Sequence, residues 1–177
     1  MSSCIRNLKY KLQDMGTITD LAKKAEDYAH RNGEEIPGAE HFLLAALSLP
    51  DATARNVFER LGADPERFES AINEQYHDAL RSVGIEANPE LFEKEEALLR
   101  KEKRKLYHAK PSVQDLMKKL VSLESKKNMP LLGAHIVEVL AANEQGVAAR
   151  AFKTMGIDAA ALMSAVADEL RAFSKVH

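Results

Sequence analysis

The sequence is short of the residues that usually announce a function. It has one cysteine, Cys4, in 177 residues. One thiol excludes an intramolecular disulfide, and nothing points to an oxidising compartment. Tryptophan is absent, and aromatic residues make up only 6%. Charge of one sign is also lacking: 25 Lys and Arg face 27 Asp and Glu, for a net charge of −2. That balance gives no global argument for nucleic acid or a membrane surface. No apolar run approaches the length of a membrane span, and the opening MSSCIRNLKYKLQDMG lacks a signal peptide's apolar core. A cytoplasmic location is the simplest expectation. The eight glycines stand singly, and the phosphate-cradling string GxxxxGK[ST] does not occur. No nucleophile, base and orienting acid share a local motif, so an enzyme is not expected.

What is present reads as helix. Val, Ile and Thr are sparse, Ala, Leu, Glu and Lys are plentiful, and strand-like alternation is missing. Thr19-Asp20 opens a first helix that Asn32-Gly33 closes. Pro37-Gly38-Ala39 leads into a second, through Leu49. Asp51 can cap a third, ended by Gly62, and Asp64-Pro65 opens a fourth. The same grammar returns later. Ser112 opens a helix, Pro130 and Gly133 mark a turn before the next, Gly146 precedes a third, and Asp158 opens the last.

Sliding the chain against itself by 94 residues explains the return. His41 falls on His135, Ala54 on Ala148, Phe58 on Phe152, Gly62 on Gly156, Asp64 on Asp158 and Ala71 on Ala165. Phe42, Leu43, Leu61, Phe68 and Ile72 fall on Ile136, Val137, Met155, Leu162 and Val166. The register holds without a gap, which marks an internal duplication of a four-helix unit. So short a unit struggles to bury its own apolar faces. The expectation is one all-α domain over residues 1–177, with repeat one at about 17–80 and repeat two at about 112–174, packed about a pseudo-twofold axis. Between them, residues 88–111 run from acidic Glu93, Glu95 and Glu96 to basic Lys101, Lys103, Arg104 and Lys105. That order suits a helix dipole and reads as an added helix with a solvated charged face.

The paired stretches LAKKAEDYAHRNGEEIPGAEHFLLAALSLPDATARNVFERLGADPERFESAI and LMKKLVSLESKKNMPLLGAHIVEVLAANEQGVAARAFKTMGIDAAALMSAV resemble the Clp N-terminal repeat. That repeat stands at the front of Clp-type AAA+ unfoldases and disaggregases. The resemblance implies a non-enzymatic module that binds a protein or peptide: a Clp unfoldase, its substrate or an adaptor. Without a phosphate-binding loop the chain is expected to be a free-standing repeat protein, the alternative being a fragment of a larger ATP-driven Clp chaperone.

The resemblance also directs attention to Gly38-Ala39-Glu40-His41. In Clp proteins that take phosphoarginine-tagged substrates, the glutamate of a Gly-Thr-Glu-His turn meets the guanidinium group. Here Gly38 and Glu40 match and Ala39 replaces threonine. The second copy, Leu132-Gly133-Ala134-His135, has lost the glutamate. The resemblance thus makes Gly38, Ala39 and Glu40 candidates for a peptide or phosphoarginine site. A plainer reading of Glu40 is an acid favouring its helix dipole in the first turn. His41 and His135 are read as structural, one ring nitrogen bonded to a loop carbonyl, and Gly62 and Gly156 as helix stops. No second ligand stands at helical spacing except Glu138 after His135, so no metal and no cofactor are expected. Phe42 and Phe58 are read as core.

Overall fold

In the computed structural model the described residues are 3–82, 110–124 and 127–176. Among them are eight helices and no strand. They are α1 (Ser3–Arg31), α2 (Ala39–Leu47), α3 (Thr53–Arg60), α4 (Arg67–Ser82), α5 (Pro111–Glu124), α6 (Gly133–Ala141), α7 (Val147–Thr154) and α8 (Ala159–Val176). The expected helix over 88–111 lies outside the described residues, apart from Lys110 and Pro111.

Two short helices form the centre. All nine residues of α2 are buried, and eight of nine in α6. A helix apolar on every side is stable only when neighbours enclose it. Here α2 packs on α6, α1 covers α2, and α5 covers α6. Helix α3 packs on α6 and α8, and α4 packs on α7. Phe58, Phe68 and Phe152 meet at the middle of the interior. The Phe58 ring centroid lies 6.0 Å from Phe68, edge-on, and 5.9 Å from Phe152. All three rings are buried, as is Phe42.

Ties between α3 and α8, and between α4 and α7, use positions 94 apart. Glu169 is buried on α8 and accepts from Asn56 (2.7 Å) and from Arg60 (2.8 Å) on α3. On α7 and α4, Gln75 donates to Thr154 at 2.6 Å. The helix stops also match. Gly62 and Gly156 both have positive φ, +66° and +73°, where a side chain would be strained. Each is followed by a residue whose N–H reaches back to a phenylalanine carbonyl: Ala63 to Phe58, and Ile157 to Phe152.

Three details differ from the reading of the sequence. Helix α1 does not start at Thr19 but runs from Ser3. The Thr19 hydroxyl caps nothing; it donates backward to the Met15 carbonyl at 2.8 Å, which a threonine does inside a continuing helix. The early part of α1 is held by Asp14, which accepts from the Leu131 N–H and pairs with Lys127, both at 2.5 Å. Helix α2 ends at Leu47, not Leu49. Gly133 does not precede a helix as a turn residue; it is the first residue of α6.

Candidate functional site

The two central helices begin in the same way. The Gly38 N–H donates to His41 Nδ1 at 2.9 Å, and the His41 N–H donates to the Gly38 carbonyl at 3.1 Å. At α6, Leu132 N–H donates to His135 Nδ1 at 3.0 Å and His135 N–H returns to the Leu132 carbonyl at 3.1 Å. The expected bond from ring to loop carbonyl is therefore reversed: the ring accepts. A helix start has surplus N–H groups and no surplus carbonyls, so an acceptor nitrogen is what the site calls for. Accepting at Nδ1 requires that nitrogen to be unprotonated and leaves the proton of the neutral ring on Nε2. Burial lowers the pKa of both rings. His135 is lowered to about 4, with the Lys127 ammonium adding to the effect of burial. The His41 Nε2 is enclosed without a hydrogen-bond partner.

Beyond the histidines the two starts diverge. At α6, Asp51 and Thr53 reach across from the first copy. Asp51 Oδ2 accepts from the Gly133 N–H at 3.2 Å, and Thr53 Oγ1 accepts from the Ala134 N–H at 2.9 Å. Asp51 Oδ1 also takes the Thr53 N–H (2.8 Å) and hydroxyl (2.6 Å). The N-cap of α3 is Ala52, in the left-handed region, and not Asp51 as expected; Asp51, one residue earlier, takes the first N–H of α3 and also answers the dipole of α6. Ala54 fits beneath it because Gly133 has no side chain. A Cβ at 133 would lie 2.9 Å from the Ala54 Cβ and 3.1 Å from the Ala46 carbonyl oxygen.

At α2 the corresponding positions, 145 and 147, hold Gln145 and Val147. Neither brings a carboxylate or hydroxyl. The space in front of α2 is instead a cavity of about 310 Å³, lined by Ala39, Glu40, Lys110, Ser112, Gln145 and Arg150 among others. The Ala39 N–H donates to Ser112 Oγ at 3.3 Å. Arg150 is exposed at the rim, with its guanidinium donating to the Gln145 carbonyl at 2.9 Å.

Glu40 forms part of the wall. It is 3% exposed, and its carboxylate folds back under Gly38. A Cβ on residue 38 would meet the Glu40 carboxylate, so a side chain there would displace that carboxylate from its place. Lys110 pairs with Glu34 and lies 3.7 Å from Glu40 Oε1. Glu34, Glu40 and His41 bring three ligand-type atoms within 4.8 Å of one another. The Lys110 ammonium supplies the positive charge between the two carboxylates. Glu138, the other metal candidate, is half-buried on α6, and burial raises its pKa.

Of the three candidates, Ala39 and Glu40 therefore line one cavity, and Gly38 precedes them with its N–H turned to His41. His135 belongs to the other helix start, and Gly62 and Gly156 lie apart as helix stops. Lys110, Ser112, Gln145 and Arg150 were missed by the reading of the sequence, as was the reach of Asp51 to α6. The 94-residue register carried the signal: it sets Gln145 against Asp51 and Val147 against Thr53.

Among the described residues the chain is all-helical, with both central helix starts buried and a largely apolar cavity in front of α2. Its family is the Clp repeat (R) N-terminal domain, to which the chain belongs: the family model matches residues 19–125, more than half of the sequence. A search of curated proteins gives no match. No helix among the described residues is long and apolar enough to cross a membrane.

Proposed function

We propose that this chain is a non-enzymatic module that binds protein or peptide segments, in substrate or adaptor recognition for a Clp chaperone or protease system. The cavity at the start of α2 is the docking site. The observation that carries this reading is the contrast between the helix starts: α6 is filled by Asp51 and Thr53, whereas α2, whose Ala39 N–H meets the Ser112 hydroxyl, faces a cavity with Arg150 at its rim. The Arg150 guanidinium at the rim suits a carboxylate or phosphoryl group on the segment, and the apolar wall of Leu140 and Val147 suits an apolar side chain beside it. The titratable groups lining it serve structural pairs, which supports binding and not catalysis.

A second reading has its own observation. Glu40 and Arg150 line the same cavity, which supports a ligand that brings both a guanidinium and a phosphoryl group, such as a phosphoarginine side chain.

The test is to install the plug. The double variant Gln145→Asp, Val147→Thr gives α2 the pair that α6 already has. Segments captured by the wild-type chain are expected to be lost by the variant, with melting temperature preserved. Free phosphoarginine competing for the wild-type cavity selects the second reading. An unchanged set of captured proteins would remove the cavity from the function.

A further inference from the structure

Helix α1 carries two apolar lines on different sides, and among the described residues only the inner one is buried. The inner line is Ile18, Leu21, Ala25 and Ala29, continued toward the N-terminus by Asp14. Leu21, Ala25 and Ala29 are fully buried, and Asp14 is 6% exposed in its pair with Lys127. The outer line is Leu8, Leu12 and Met15, exposed at 61%, 65% and 66%. Among the described residues, three of the six large exposed apolar side chains thus fall on two turns of one helix. Their spacing is four then three. Ile5 extends it backward in the sequence, and Thr19 extends it forward.

Alternating steps of three and four keep a line of side chains facing one partner helix along a supercoil. The line is also narrow. Lys9 and Lys11 are exposed and occupy its two flanks. A helix that lies on lipid needs a wider apolar face, of about 100° or more. A strict three-four line between charged flanks is the seam of a two-helix contact.

Charge then selects the partner. Residues 3–13 contain Arg6, Lys9 and Lys11 and no acid. The first carboxylate, Asp14, is already engaged on the inner side with Lys127 and the Leu131 N–H. The positive end of the helix dipole adds to the same sign. A second copy docked on this seam would meet lysines with lysines and bring no exposed carboxylate from residues 3–13. We infer that the outer face of α1 docks an acidic amphipathic helix of a partner protein, with an apolar three-four seam against Leu8, Leu12 and Met15 and carboxylates against Lys9 and Lys11. This surface is separate from the α2 cavity, and it stands or falls apart from the reading given to that cavity.

The test uses two synthetic three-heptad peptides with leucine seams, one flanked by glutamates and one by lysines, titrated into the full chain by fluorescence anisotropy. The glutamate peptide is expected to bind at least about tenfold more tightly than its lysine twin, and to weaken as salt rises, since opposite charges at seam flanks set partner choice. Leu8→Glu with Leu12→Glu is expected to abolish binding. Both positions are exposed, so the melting curve serves as the control for folding. Lys9→Glu with Lys11→Glu is expected to reverse the preference between the peptides. The inference is overturned if the preference ignores flank charge, or if the leucine variants bind as the wild type does. Sedimentation showing self-association lost in the leucine variants would overturn it in favour of a second copy. Binding to phosphatidylserine–phosphatidylcholine vesicles with neither peptide bound would overturn it in favour of a membrane surface.

Discussion

The starts of α2 and α6 share a histidine cap and differ in what lies in front of it. At α6 the space is closed by side chains of the same chain, and Gly133 permits the close approach. At α2 it is open, and Gly38 makes room for the carboxylate of Glu40. The lesson is that a glycine at a helix start serves opposite ends. At 133 it lets the protein fill its own site. At 38 it lets an acid line an open cavity.

The largest expected effect on this comparison comes from acid. His135 has a folded pKa of about 4 against an ordinary value of 6.5. A lowered histidine pKa means that the fold favours the neutral ring. Its contribution is complete above pH 6.5 and is lost as pH falls from 6.5 toward 4. The span corresponds to about 3 kcal/mol. His41 shifts in the same direction. Denaturant unfolding between pH 7 and 4.5 is expected to show this slope, and His135→Asn, whose side-chain oxygen can still accept from Leu132, to flatten it. An equal slope in that variant would place the acid sensitivity elsewhere.

Next in size is Asp51→Ala, which removes a charged acceptor from both Gly133 and Thr53. A loss of about 2 kcal/mol is expected, the upper range for a side chain that answers helix-start N–H groups, read as a lower urea midpoint. Alanine at the corresponding Gln145 is expected to change stability by less than about 0.5 kcal/mol, as an exposed side chain away from the core does. Similar losses at the two positions would erase the distinction drawn between the starts.

The smallest of the three effects is steric. Gly133→Ala places a methyl group against Ala54 and the Ala46 carbonyl and is expected to cost about 1–2 kcal/mol through overpacking. Its counterpart already is alanine, Ala39, so Ala39→Gly tests the same methyl in reverse. Its cost is expected to stay near 1 kcal/mol, the helix-propensity difference. Thermal melts of the two variants measure both.

Much of the architecture was legible because helix punctuation is local. Gly62 and Gly156, Asp51 before α3 and the buried run from Phe42 to Leu47 are all visible as residue types in order. The family was legible from the same stretches. The beginning of α1 was not, because Thr19 resembles a cap in sequence and only its bond to Met15 shows otherwise. The direction of the histidine bonds was missed because residue identity does not say whether a ring donates or accepts. The cavity was half legible. Ala39 and Glu40 are contiguous, whereas Lys110, Gln145 and Arg150 come from more than sixty residues away and meet them only through packing. The apolar seam of α1 was overlooked because a leucine in a helical pattern is ordinarily taken as core.

The plug of Asp51 and Thr53 has a consequence for valency. Under the proposed reading, a duplicated receptor would ordinarily offer two equal sites, and a ligand with two matching groups would gain avidity from one chain. Here one of the two is occupied permanently by its own polypeptide, at an effective concentration no free ligand can match. On that reading the chain is monovalent at its helix starts. A multiply tagged or repetitive partner gains nothing from a single copy, and it is held tightly only where several copies are brought together.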